Sequence, residues 1–222
     1  MEAVFQLDGF IYRACKWIYN LLVLNFLVLV NCVPIITVYP AVAAGFAIAR
    51  QWMKGNDPAV FRTYYQYYRE NFRQSLVTGV ILTGIGIILF VDLRIALHLH
   101  TGLSLVAELF FGVLTILYGS TLLSLFPLMV NGYYSNRALL INSVKLGIYK
   151  FHLTFLNLLS IAALLVLSLR FTFLLVFFFV SLCIFVTYWF AERKFVRLIQ
   201  VTEDANIPSD AKTSSATGED MV

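Results

Sequence analysis

Residues 17–49 read WIYNLLVLNFLVLVNCVPIITVYPAVAAGFAIA, 33 positions without Asp, Glu, Lys or Arg. As one helix this stretch would run about 50 Å, too long for one upright crossing of a ~30 Å hydrocarbon core and too short for two full ones. Pro34 and Pro40 flank Ile-Ile-Thr-Val-Tyr. Each proline removes a backbone donor and clashes with the preceding turn, so a helix is expected to stop near Val33 and restart near Pro40 or Ala41. The restarted piece carries Ala41, Gly45 and Ala49 at four-residue spacing, a helix-packing face of small residues that lets another helix come close. The stretch is therefore either a short helical hairpin, or one crossing followed by a half-helix buried in a bundle.

The rest of the chain repeats the theme. Uncharged runs of 18, 28, 19 and 21 residues occupy 74–91, 109–136, 151–169 and 171–191, and a charge in mid-bilayer costs about 2.5–3.5 kcal/mol. Of the 222 residues 60% are hydrophobic and 13% charged, with a mean hydropathy of +0.83. A soluble domain is about a quarter charged, so that class is excluded. The expectation is an all-α, polytopic transmembrane helical bundle forming one integral membrane domain over 1–201. It has five to six membrane helices, at about 17–33, 40–52, 74–96, 104–130, 151–169 and 171–192. Asp92, Arg94, His98, His100 and Gly102 are read as the turn between the second and third runs. A reversal is required near Ser168, Arg170 and Thr172, although no Gly or Pro marks it. Residues 202–222 hold five acidic residues and almost nothing apolar, and are read as a disordered cytoplasmic tail.

Short cytoplasmic loops carry the excess of Lys and Arg. With six helices and both termini inside, 14 of the 16 basic residues fall on the inner face, leaving Arg94 and Arg170 outside. Five crossings with the amino terminus outside move Arg13 and Lys16 across and give 12 against 4. The expected location is the cell membrane, multi-pass, with both termini cytoplasmic. Ala41-Val42-Ala43 has the form of a signal cleavage site, but the apolar run before it exceeds a signal h-region and the amino terminus is expected to be retained.

Two inner segments read as cytoplasmic interfacial amphipathic helices, at about 57–73 and 136–150. In the first, Asp57-Pro58 has the form of an N-cap followed by a first-turn proline. At 100° per residue Phe61, Tyr64, Tyr65, Tyr68 and Phe72 share one side, with Arg62, Arg69 and Arg73 beside them. Aromatics flanked by arginines suit the headgroup layer of an anionic inner leaflet. Phe61, Arg62, Tyr65, Tyr68, Arg69, Phe72 and Arg73 are the candidate surface for lipid or a partner. In the second, Leu140, Ile141, Val144, Ile148 and Phe151 gather opposite Asn142, Lys145 and Tyr149.

Motifs for catalysis are missing. Cys15, Cys32 and Cys183 lie far apart without neighbouring His, which suggests neither zinc nor a disulfide framework. The chain has no GxxxxGK[ST], GxGxxG, HExxH or GxSxG, so nucleotide, metalloprotease and hydrolase signatures are absent. No enzyme activity, catalytic residue, metal, cofactor or nucleic-acid partner is expected. Asp92, Arg94 and Glu108 are the candidate polar or ionisable membrane site, with Asp92 pairing Arg94 at a solvated turn as the simpler reading. Asn20, Asn25, Asn31, Thr115, Ser120, Ser124, Asn157 and Ser160 lie deeper and are expected to hydrogen-bond between helices.

Leu7-Asp8-Gly9-Phe10 with Arg13, then LNFLVLVNCVPIITVYPA (24–41), then Phe61 with RENFRQSL (69–76), resemble the YesL-like family of bacterial integral membrane proteins, a domain of unknown function. The likeness is strongest over 5–76. Tyr39 departs from it, since the pattern has glycine before Pro40. The resemblance implies no activity or catalytic residues. It implies an association with carbohydrate uptake or utilisation, hence an accessory component contacting a carbohydrate transporter, the alternative being a small autonomous transporter or channel for a sugar or ion.

Overall fold

A computed structural model describes residues 2–98, 104–132, 134–149 and 151–206. Among them lie eight helices, α1 (Glu2–Cys32), α2 (Val38–Met53), α3 (Val60–His98), α4 (Ser104–Asn131), α5 (Asn136–Ile148), α6 (Phe151–Arg170), α7 (Thr172–Phe177) and α8 (Phe179–Asn206), and no strand. Four are long and apolar enough to cross a membrane: Ile11–Cys32 of α1, α3, Leu105–Asn131 of α4, and α6. The chain is an all-α membrane protein. The other two expected crossings are a shorter helix and an interrupted one. α2 has only 16 residues, about 24 Å. The last expected crossing, 171–192, is broken into α7 and α8, and its end meets the charges Glu192, Arg193 and Lys194.

The opening stretch folds as a hairpin whose second arm is enclosed. α1 stops before Pro34, and a 3-10 turn, Ile35–Thr37, reverses the chain. The Thr37 hydroxyl donates to the carbonyls of Asn31 (2.6 Å) and Pro34 (2.7 Å), tying off the end of α1. α2 begins at Val38, so Pro40 sits in its first turn, where a missing N–H costs nothing. Trp52 near the end of α2 meets Trp17 of α1, ring centroids 5.5 Å apart, so the arms run antiparallel. Ten of the sixteen α2 residues are buried, because α1, α3, α4 and α8 surround it; a helix apolar all round belongs inside. A methyl on Gly45 would meet Ile184 of α8 at 2.7 Å and Val28 of α1 at 3.3 Å. Ala41 and Ala49 are fully buried.

α2 ends in a Schellman motif: Gly55 adopts φ +76°, its N–H reaches the Trp52 carbonyl at 3.0 Å, and the Asn56 N–H reaches that of Gln51 at 3.0 Å. Asp57 does not cap α3, which starts three residues later; its carboxylate pairs with Lys16 of α1. The expected surface helix at 57–73 and crossing at 74–96 are one continuous helix of 39 residues, since no Gly or Pro interrupts 60–78. Its aromatic side turns inward. Tyr64 is fully buried and donates to the Ala41 carbonyl at 3.1 Å, while Tyr65, Tyr67 and Tyr68 pack against the core.

α4 and α5 pack closely where a methyl on Gly147 would meet the Ser120 backbone at 3.1 Å. α5 buries Leu139, Ser143, Leu146 and Gly147, whereas Ile141, Val144 and Ile148 of the expected apolar face point outward, the orientation that lipid permits. The unmarked reversal falls on Phe171 alone, φ −120°, ψ 88°. Asp92, Arg94 and His98 lie within α3 rather than in a turn; His100 and Gly102 fall outside the described residues. Of the expected tail, 202–206 continue α8, and 207–222 lie outside the described residues.

Candidate functional site

Among the deep polar residues, one position does what no spacing announced. Asn25 of α1 is fully buried and faces the break between α7 and α8. Its Nδ2 donates to the Val176 carbonyl at 2.8 Å, and its Oδ1 accepts the N–H of Val180 at 3.1 Å and of Ser181 at 3.3 Å. Val180 N–H to Val176 carbonyl is the bond an unbroken helix would make. The amide is thus inserted into that rung while Phe178 departs from helical geometry at φ −135°, ψ −19°. An interrupted helix in an apolar medium requires such a replacement, because unpaired backbone groups there cost several kcal/mol each.

The other deep polar groups work more locally. Asn31, Thr115, Ser120, Ser124 and Ser160 bond to carbonyls of their own helices, a correction to the expected role between helices. Exceptions lie elsewhere: the Tyr188 hydroxyl donates to Asn131 Oδ1 at 3.0 Å, and Tyr118 to the Leu82 carbonyl at 3.0 Å. Buried Asn157 Oδ1 and Ser168 Oγ have no protein partner.

Lys194 was hidden within a charged triplet that reads as an ordinary helix end. It is only 4% exposed, and its Nζ donates to Thr154 Oγ1 of α6 at 2.7 Å. Thr154 passes the chain on to the Gly147 carbonyl at 3.2 Å. Burial lowers the Lys194 ammonium to a pKa of about 8, because desolvation disfavours its charged form.

The basic aromatic face of α3 divides in two. Phe61 (63% exposed), Arg62, Arg69 and Arg73 are outside, and Tyr65, Tyr68 and Phe72 are half-buried. The rings form a ladder, Phe61–Tyr65 at 5.1 Å, Tyr65–Tyr68 at 6.3 Å and Tyr68–Phe72 at 5.6 Å. What remains outside is a row of arginines with one aromatic at its start.

Asp92 and Arg94 do not form the expected pair. On a helix, positions two apart point to different sides, and among the described residues the ion pair present is Lys16–Asp57. Arg94 is exposed, with Asp92 and Glu108 half-buried on α3 and α4. Among the described residues no three His, Cys, Asp or Glu side chains converge as a metal site, and Cys15, Cys32 and Cys183 are free.

Residues 21–93, from the middle of α1 through most of α3, match the family described as a protein of unknown function, DUF624. The chain is 35% identical over 131 residues to the uncharacterized protein YteU of Bacillus subtilis (strain 168), an alignment covering 55% of this chain and 57% of that protein. It is 36% identical over 86 residues to the uncharacterized protein YesL of the same organism, covering 37% and 41%. The chain thus spans about half the length of the curated relatives it matches. No solved structure matches. Through the segment that holds the enclosed hairpin arm and the long α3, the chain is similar to the YesL-like DUF624 family.

Proposed function

We propose that this protein is a non-enzymatic accessory component of the bacterial cell membrane, serving carbohydrate uptake or utilisation by contacting a transporter. The observation that carries the reading is the division of labour among its polar groups. Asn25, Tyr188 and Lys194 are bonded to neighbouring helices, whereas Arg62, Arg69 and Arg73 stand exposed along α3 beside Phe61. Polar groups used as glue hold a scaffold; arginines and an exposed ring make a contact surface for an acidic partner or leaflet. The carbohydrate link rests on the family resemblance. The one-sided distribution of Lys and Arg supports cytoplasmic termini.

Affinity purification from native membranes, with mass spectrometry, tests this. The expected result is co-recovery of transporter components, reduced when Arg62, Arg69 and Arg73 are changed to Gln. Recovery of none, with unchanged sugar uptake in a deletion strain, sinks the reading.

A second reading, a small autonomous transporter or channel, is favoured by one observation, the break at Phe178, since interrupted helices build substrate sites in many transporters. It requires flux of a sugar or ion in proteoliposomes, sensitive to Glu108→Gln.

A further inference from the structure

Between α6 and α8 runs a groove of about 520 Å³, walled by Ala163, Leu164 and Leu167 on one side and Phe185, Val186 and Trp189 on the other. It opens on helices that lie in the hydrocarbon layer, where the surrounding medium is acyl chain. Its α8 wall ends at Trp189, and the guanidinium of Arg193 sits over that ring, 3.6 Å from its centroid. A stacked guanidinium keeps its in-plane N–H groups free to fork onto phosphate oxygens. Arg193 is exposed, and among the described residues no carboxylate lies within ion-pair distance of it. Its neighbour Lys194 is buried and occupied by Thr154, so of these two adjacent cations Arg193 is the one presented outward.

An apolar slot closed by an aromatic ring and an unpaired cation is complementary to a molecule with a hydrocarbon chain and a net negative head. We propose that the α6–α8 groove holds one acyl chain of an anionic phospholipid, with its phosphate on Arg193. Zwitterionic lipids offer the same chain, but their ammonium offsets the charge on which Arg193 discriminates.

The full chain, purified in mild detergent and equilibrated with phosphatidylglycerol or phosphatidylcholine of identical chains, is read by native mass spectrometry. Phosphatidylglycerol is expected to be retained in preference. Arg193→Gln should lower its retention about five-fold, toward that of phosphatidylcholine. Ala163→Phe, on an exposed position that fills the groove, should lower retention of both. Equal retention of the two lipids by the unaltered protein, an Arg193→Gln variant that keeps its preference, or an Ala163→Phe variant that retains lipid normally would each overturn the proposal.

Discussion

The carboxamide of Asn25 occupies the place of the hydrogen bond that Val180 would make to Val176, donating to one and accepting from the other. Replacing Asn25 with Leu leaves the Val176 carbonyl and the N–H groups of Val180 and Ser181 without that partner inside the bundle. A loss of about 3–6 kcal/mol is expected from three orphaned backbone groups. Asn25→Asp keeps the acceptor and loses the donor, so it should fall between. Melting temperatures of the detergent-solubilised protein check the order; a Leu variant as stable as the parent would mean the break does not depend on this residue.

Tyr39 and Gly79 are a matched pair. A methyl on Gly79 would lie inside contact distance of the Tyr39 ring, whose hydroxyl bonds Thr83 one turn further along α3. Gly79→Ala is expected to destabilise by about 1–3 kcal/mol through overpacking. Combined with Tyr39→Ala, the two changes should cost less than their sum, because the smaller ring position relieves the clash. Strict additivity in a double-mutant cycle would refute the pairing.

Lys194 gives a pH signature. Its folded pKa of about 8 lies below the unfolded value of 10.5, so between those values the unfolded chain binds more protons than the folded one, and stability rises with pH. Below about pH 8 both states are protonated and the contribution is flat at its lowest. The rise is at most about 3 kcal/mol and should vanish in Lys194→Met. Stability curves of the two proteins that run parallel from pH 7.5 to 10 would show that the ammonium is not desolvated.

The exposed arginines of α3 should be separable from folding. Arg62→Gln, Arg69→Gln and Arg73→Gln are each expected to change stability by less than about 0.5 kcal/mol. Together they should weaken the docking of anionic-lipid vesicles onto the protein held in neutral-lipid nanodiscs, by roughly 1 kcal/mol for each charge near the surface. Flotation assays read this directly, and unchanged association would remove the basic row from the contact surface.

The hairpin predicts sidedness. Ile35 lies at the turn before α2 and is 85% exposed; Lys54 caps its other end. In a background lacking the three native cysteines, Ile35→Cys and Lys54→Cys should react with an impermeant reagent from opposite faces of sealed vesicles. Labelling of both from one face would show that α2 does not traverse the bilayer.

Much of this architecture was legible in the residues. Charge-free runs locate α1, α4 and α6, because ionised groups are too costly in hydrocarbon, and Pro34 ends α1 because the residue before a proline leaves the helical region. The small-residue face at Ala41, Gly45 and Ala49 already implied close packing. Joining the surface segment to the next crossing was also open to inspection, since 60–78 lack any breaker; the charges up to Arg73, after which the uncharged run begins, suggested a boundary that the backbone does not have.

Other features depended on which surfaces meet. Asn25, Asn31 and Asn157 are the same residue type within apolar helices, yet Asn25 alone faces a broken helix, Asn31 bonds its own turn, and Asn157 keeps an unpartnered oxygen. Lys194 and Arg193 are adjacent cations, one buried against Thr154 and one open over Trp189. Composition and periodicity determine that a chain crosses a membrane and where its helices must stop, because solvation acts on each residue separately. Which polar group is glue, and which is left free for a ligand, is decided by the rotation of each helix against its neighbours, a property of the assembled bundle.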